Sequence, residues 1–111
     1  MQGTTIKRGY LGIVTNTVMI PQEISGEAGI DQDTGVMIFQ VEHGSPAKQA
    51  CLTMGDVIVK FNGKPVVDYY DLPRLLADDV VGKVTEITIL RGEKLVTLII
   101  VPVTAEEEND E

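Results

Sequence analysis

Residues Arg8–Val18 read RGYLGIVTNTV, and this stretch decides how the rest of the chain is arranged. Gly12 permits a tight backbone turn and leaves the neighbouring N–H groups uncovered by a side chain. Consecutive uncovered N–H groups form a concavity that attracts anions. The β-branched residues that follow favour a strand. We therefore expect an anion-binding loop that leads into a strand, and the edge of that strand would be open to an extended peptide.

Length and charge limit the classes of protein to which the chain can belong. Its 111 residues suit one domain, and the low aromatic content means that Val, Ile and Leu must build the core. The formal net charge is −8, of which five negative charges lie at Glu106, Glu107, Glu108, Asp110 and Glu111. The body of the chain therefore carries only about −3. Nucleic acid requires a concentrated basic face, so we expect no nucleic-acid partner.

The cysteine count and the N-terminus bear on the compartment. Cys51 is the only cysteine, so the fold does not depend on an internal disulfide. Residues Met1–Gly3 do not begin a signal peptide, and no apolar run is long enough to cross a bilayer. We therefore expect no membrane insertion, and either a cytosolic protein or a soluble piece of a larger one.

Apolar runs bounded by turn residues predict six strands. These are Leu11–Ile20, Gly35–Val41, Val57–Phe61, Lys64–Val67, Val84–Leu90 and Lys94–Val101. Asn62 and Gly63 form a strong signal for a two-residue hairpin between the third and fourth of them.

Capping residues and apolar spacing predict two helices. Ser45 is a suitable N-cap for a short helix Pro46–Ala50, in which proline takes the first position. Asp71 is expected to cap a longer helix that continues to about Val80. Gln22–Thr34 is expected to form a short helical turn or a loop. The expected fold class is α+β, with five to six mostly antiparallel strands in a partly open barrel or sandwich and two helices.

Several short motifs follow one another in an order that is specific as a set. They are YLGI at 10–13, GSPA at 44–47, GDVI at 55–58, NGKPV at 62–66, DLPRLL at 71–76 and LRG at 90–92. Together they resemble the PDZ domain of HtrA- or Deg-type (trypsin-like) serine proteases, in its bacterial-type circularly permuted form. Two residues depart from that pattern: Cys51 stands where glycine is common after the short helix, and Met54 stands where proline is frequent.

The resemblance implies a PDZ domain at residues 8–103, followed by a disordered acidic tail at 104–111. The circular permutation implies that the last strand, Lys94–Val101, lies near the centre of the sheet. The resemblance to PDZ domains also implies recognition by strand addition, for which these domains are a well-known example.

The resemblance assigns the peptide-binding residues to the loop, the strand and the longer helix. These are Tyr10, Leu11, Gly12, Ile13, Val14, Thr15, Leu72, Pro73 and Leu76. The N–H groups of residues 11–13 would bind the terminal carboxylate of a peptide, and the apolar side chains would receive its last residue. The alternative is that the leucines are ordinary core, although we expect Leu76 to face the groove and Leu75 to face the sheet. Lys7 and Arg8 would either steer the carboxylate or be solvated surface.

The remaining reactive side chains do not form a catalytic or metal-binding set. His43 is the only histidine, and neither Ser25 nor Ser45 lies in a nucleophile-elbow motif. Cys51 lacks a second histidine that could activate it, and we expect it to pack as a small apolar residue. We therefore expect no enzymatic activity, no metal and no cofactor in this chain.

The sequence favours a peptide-binding module that captures C-termini or exposed apolar segments of proteins. The resemblance implies that it is the substrate-recognition or regulatory domain of an HtrA-like, DegP-like serine protease that acts in protein quality control. Its partners would be peptide segments and a protease domain in the parent chain, and the parent would be periplasmic or associated with the cell envelope. The alternative is a stand-alone adaptor or assembly module with no protease attached.

Overall fold

The structure is a computed structural model that describes residues 9–76 and 80–104. Its strands are β1 (Gly9–Tyr10), β2 (Ile13–Met19), β3 (Thr34–Val41), β4 (Val57–Phe61), β5 (Lys64–Pro65), β6 (Thr85–Arg91), β7 (Lys94–Ile100) and β8 (Val103–Thr104). Its helices are α1 (Gln22–Ala28), α2 (Pro46–Gln49) and α3 (Asp71–Leu75). None of the helices in the described ranges has the length and apolar character needed to cross a membrane.

Six strands form an open antiparallel sheet in the order β2-β3-β4-β6-β7, with β5 paired to β4. The strands β1 and β8 form a separate two-stranded ribbon. The predicted α+β class and antiparallel sheet are confirmed. The described residues contain three helices instead of the expected two, because Gln22–Ala28 is a helix in its own right.

The last long strand does not lie at the centre of the sheet, and that expectation was wrong. β7 pairs with β6 along its whole length and stands at the end of the sheet order. The chain leaves the sheet at Pro102, whose carbonyl accepts a 2.8 Å hydrogen bond from Gly82 N–H. It is therefore β8 that reaches the start of the domain, where Thr104 pairs with Gly9. The rest of the predicted acidic tail, 105–111, lies outside the described residues.

The sheet carries apolar packing on both faces. The main core is formed by Leu11, Val36, Ile38, Ala47, Leu52, Ile58, Phe61, Val66, Leu72, Val80, Ile87, Ile89 and Ile100. A smaller cluster of Ile20, Val59 and Leu90 is covered by side chains that include Ile24 and Ala28 of α1. A loop at 22–34 would leave this second face uncovered, which accounts for the helix there.

The third helix is shorter than predicted. Helical geometry ends at Leu75, and Leu76 has a ψ of 56°, which is outside the helical range. Asp71 is the first residue of α3 and does not cap it. Its Oδ2 instead accepts hydrogen bonds from the N–H groups of Val67 (2.9 Å) and Asp68 (3.3 Å), which stabilises the preceding turn. Residues 77–79, which the prediction included, lie outside the described ranges.

The second helix has the predicted N-cap and an unexpected C-terminus. The hydroxyl of Ser45 accepts a hydrogen bond from Lys48 N–H at 3.2 Å. At the other end, Leu52 N–H bonds to Ala47 O and Cys51 N–H bonds to Lys48 O, which is a Schellman motif. Cys51 takes the left-handed position of that motif, with a φ of 70°. Its side chain is exposed, so the expectation that it packs as a small apolar residue was wrong.

Replacing Cys51 with glycine is expected to stabilise the fold. The left-handed conformation costs an L-residue about 1 kcal/mol, which glycine avoids, although glycine also gains freedom in the unfolded chain. We expect a net gain of about 0.5 kcal/mol in the free energy of unfolding, measured by urea denaturation. Cys51→Ala is the control, because alanine keeps the Cβ and should leave stability unchanged. A Cys51→Gly variant no more stable than Cys51→Ala would contradict a strained cap.

Candidate functional site

A groove of about 400 Å³ opens between the loop at residues 10–12, β2 and α3. It is lined by Gly9, Tyr10, Leu11, Gly12, Ile13, Val14, Thr15, Tyr69, Leu72, Pro73 and Leu76. The structure therefore brings together all nine residues that the sequence suggested for peptide binding. It adds Gly9 and Tyr69, for which the sequence contained no signal. A Cβ on Gly9 would lie 3.1 Å from Leu76 Cδ2, so a small residue at this position lets the Leu76 side chain pack closely.

Hydrogen bonds to the loop carbonyls orient its N–H groups toward the groove. Leu11 O accepts from Ala47 N–H at 2.9 Å, and Gly12 O accepts from Glu42 N–H at 2.8 Å. In a trans peptide the N–H points opposite to the C=O, so the N–H groups of Gly12 and Ile13 point away from these partners. No acceptor within the described part of the chain bonds to the N–H of Leu11 or Gly12. The loop thus presents unused donors to the groove.

Glycine is required at position 12 for two independent reasons. Its φ is +83°, in the left-handed region that disfavours side chains. A Cβ on this residue would also lie 2.2 Å from Ser45 Cβ and 2.8 Å from Ser45 Oγ. Ser45, the N-cap residue of α2, therefore packs directly against the loop at residues 10–12.

Apolar side chains of the loop and of α3 form the wall of the groove. Leu11 and Leu72 are buried, whereas Leu76 is only half-buried and lies beside Gly9, whose N–H donates to Leu76 O at 2.9 Å. Leu75 and Leu76 both pack against the main core, and of the two only Leu76 also lines the groove. The leucine that lines the groove is therefore Leu76, which directly follows the last residue of α3. This geometry suits an apolar side chain next to an anion.

Glu42 connects the loop to the end of β3 by two bonds. Its N–H donates to Gly12 O, and its carboxylate accepts a hydrogen bond from the hydroxyl of Tyr10. This hydrogen bond is the main cause that raises the pKa of Tyr10, with smaller contributions from desolvation and from the negative charge of Glu42. A tyrosine is protonated at neutral pH even at its ordinary pKa of 10.0, so the Tyr10 hydroxyl is available as a donor to Glu42.

In the part of the chain that the structure describes, neither His43 nor Ser45 is hydrogen-bonded to a second reactive side chain. His43 is exposed in a turn, and Ser45 is occupied as the N-cap of α2. Within residues 9–76 and 80–104, no group of three or more metal-ligating side chains is found. Lys7 and Arg8, for which the sequence suggested either electrostatic steering or a solvated surface, lie outside the described residues.

Comparison with known protein families and sequences gives a consistent result. The family model described as PDZ domain matches residues 9–101. A probable periplasmic serine endoprotease, DegP-like, from Ectopseudomonas mendocina is 33% identical over 106 residues, which cover 96% of this chain and 22% of that protein. The putative serine protease HhoB of Synechocystis is 41% identical over 91 residues, covering 77% of this chain and 22% of that protein. The chain spans about a fifth of the length of these curated relatives.

Solved structures show the same fold. The HtrA3 PDZ domain bound to a phage-derived ligand (FGRWV) matches with a TM-score of 0.64 and 23% identity, covering 89% of this chain and 88% of that chain. The HtrA-type protease AlgW with decapeptide matches with a TM-score of 0.70 and 22% identity, covering 92% of this chain and 31% of that chain.

Proposed function

This chain belongs to the PDZ domain family, and on that premise we propose that it captures the C-termini of proteins in the groove between β2 and α3. The terminal carboxylate accepts hydrogen bonds from the N–H groups of the loop at Leu11, Gly12 and Ile13. The last side chain enters the apolar cavity, and the preceding residues extend β2 as an added strand. Exposed apolar segments would use the same edge without the carboxylate bonds.

One observation carries this proposal. The N–H groups of Gly12 and Ile13 point into a cavity of about 400 Å³ whose walls include Leu72 and Leu76. Donors aimed at an apolar cavity match a ligand that has a carboxylate and an apolar side chain on the same residue. The peptides bound to the HtrA3 PDZ domain and to AlgW support this choice of ligand.

The relatives also support a parent protein for this domain. Because the similar proteins include DegP-like endoproteases and the chain spans 22% of their length, we propose that it recognises substrates or regulates activity for an attached serine protease. Their description as periplasmic supports a parent that acts in the periplasm or at the cell envelope. A stand-alone adaptor is less well supported, since the relatives cited are proteases.

Amidation of the ligand is expected to weaken binding at least about tenfold. Amidation removes the negative charge and replaces one acceptor oxygen, and hydrogen bonds to a charged group contribute roughly 1.5–3 kcal/mol. The probe is acetyl-Phe-Gly-Arg-Trp-Val, the HtrA3 ligand, with a free or an amidated C-terminus, titrated by calorimetry. Equal affinity for the two forms would refute the assignment of the loop to the carboxylate.

Two variants at the C-terminal end of α3 serve as matched controls for that titration. Leu76→Glu places a charge in the apolar wall and is expected to abolish binding of the free acid while the protein still folds, because this side chain can reach solvent. Leu75→Ala removes core packing at a residue that does not line the groove, with a cost of about 2 kcal/mol in stability and little effect on affinity. If the effects of the two variants were exchanged, the assignment of Leu76 and not Leu75 to the groove would be wrong.

A further inference from the structure

The edge of β2 that faces the groove alternates in its hydrogen-bonding groups. In an antiparallel pair, successive N–H groups point alternately toward the partner strand and away from it. Ile20 N–H donates to Asp33 O at 2.8 Å, on the side of β3. The pairing with β3 is regular from Thr15 to Met19. Counting back from Ile20, the N–H groups of Thr15 and Thr17 therefore point away from β3, toward the side of an added strand.

The second of these two donors is already in use. Thr17 N–H donates to Oδ1 of Asn16 at 2.9 Å. A ligand strand that extended this far would have to break that bond before it could pair with Thr17. The side-chain oxygen of Asn16 thus occupies the N–H group to which a ligand carbonyl would otherwise bind.

The side chain of Thr17 closes the same end of the groove. Its hydroxyl oxygen accepts a 2.8 Å hydrogen bond from Tyr69 N–H, which belongs to the turn before α3 and is 52 residues away in sequence. This bond fastens the turn to β2 at Thr17. Consistently, the β2 residues that line the groove are Ile13, Val14 and Thr15, which precede Thr17, and Tyr69 lines it as well.

We infer that Asn16, Thr17 and Tyr69 form a stop that limits strand addition to the last three residues of a ligand. This inference rests on the proposed function, and it specifies the reach of the site. With the terminal residue beside Ile13, the third residue from the end pairs with Thr15, and the fifth would meet Thr17. The occupied N–H of Thr17 and the Tyr69 turn then direct the upstream chain away from β2. The partner is a protein with a short free C-terminus, because three extended residues span only about 10 Å.

A length series of peptides tests the stop. Acetyl-Arg-Trp-Val and acetyl-Ala-Ala-Arg-Trp-Val have the same last three residues, and only the longer one reaches Thr17. In the wild-type domain we expect the two dissociation constants to agree within about twofold, because the added residues gain no backbone hydrogen bond. In the variant that combines Asn16→Ala with Thr17→Val, the longer peptide is expected to bind about three- to tenfold more tightly than the shorter one.

Thr17→Ser is the matched control, because serine keeps the hydroxyl acceptor for Tyr69 N–H and should behave as the wild type. A wild-type domain that bound the longer peptide fivefold or more tightly would overturn the stop, whatever the variants did. Equal binding of both peptides by the double variant would also overturn it. If neither peptide bound the wild-type domain at millimolar concentration, the proposed function itself would fail, which is distinct from binding that is sensitive to length.

Discussion

Gly12→Ala is expected to abolish peptide binding and to destabilise the domain. The new Cβ would lie 2.2 Å from Ser45 Cβ, so either the loop or the start of α2 must move. Any such movement would displace the N–H groups that we propose bind the ligand carboxylate. The left-handed φ of +83° adds a strain of about 1–2 kcal/mol for an L-residue. We expect a loss of affinity greater than about 100-fold in a calorimetric titration, since the charged hydrogen bonds of the carboxylate are lost together.

Gly63→Ala separates the two causes of that loss. Gly63 has a similar φ of +79°, but a Cβ there would meet no atom within 4 Å. The Gly63→Ala substitution should therefore cost about 1 kcal/mol in stability and leave peptide affinity unchanged. Gly12→Ala protein that still bound the free-acid peptide at wild-type affinity would show that the loop does not hold the carboxylate.

Arg91→Ala is expected to reduce stability by about 3 kcal/mol, the largest effect we predict away from the groove. Asp56 is 2% exposed and accepts hydrogen bonds from Arg91 Nε at 3.0 Å and Nη2 at 2.8 Å. Arg91 Nη2 also donates to Cys51 O at 3.0 Å, so one side chain joins the β6–β7 hairpin to the end of α2. Removing it leaves a buried carboxylate with Thr53 as its remaining partner. Because the arginine is itself 42% exposed, we expect a cost at the lower end of the range for buried pairs.

The pH dependence of stability should change in the same variant. Burial by itself would raise the pKa of Asp56, but the hydrogen bonds and charge of Arg91, together with bonds from Thr53, lower it below its usual value of 3.8. The wild-type stabilisation from this carboxylate is therefore complete above the unfolded pKa and is lost as the pH falls through the lower folded pKa. Without Arg91 the pKa of Asp56 rises, so the stability difference between the two proteins should shrink below about pH 4.

A double-mutant cycle with Asp56→Ala provides the control for this prediction. If the pair is the cause, the double variant should lose less stability than the sum of the two single variants, because no buried charge is left unpaired. Additive losses, or a stability difference that stays constant between pH 7 and pH 3, would contradict it. Chemical denaturation at several pH values measures both quantities.

Short-range chemistry was enough to predict many of the local structures. Ser45 caps α2 as expected, because its hydroxyl reaches an N–H three residues away. The Asn62-Gly63 pair forms the hairpin turn, with φ values of 56° and 79°, since these residue types tolerate the left-handed region. The strand Val57–Phe61 has the predicted boundaries. Each of these features depends on residues that are neighbours in sequence.

The gathering of the groove residues was also predictable, but from a resemblance and not from the residues alone. The motifs at 10–13 and 71–76 are separated by more than half of the domain, and composition and periodicity contain no information that they meet. The ordered set of motifs supplied that information. The structure then put all nine of the suggested residues around one cavity.

The sequence alone was enough to establish the fold class, the family resemblance, the N-cap of α2 and the Asn62-Gly63 turn, whereas the assembled tertiary structure established which distant groups meet. The end position of β7, the early end of α3 at Leu76, and the left-handed Cys51 all depend on packing that overrides local preference. The bonds from Tyr69 to Thr17 and from Arg91 to Asp56 join residues 52 and 35 positions apart. Such contacts arise only when the sheet and the helices are assembled, because the free energy of a hydrogen bond depends on burial and geometry that no local pattern specifies.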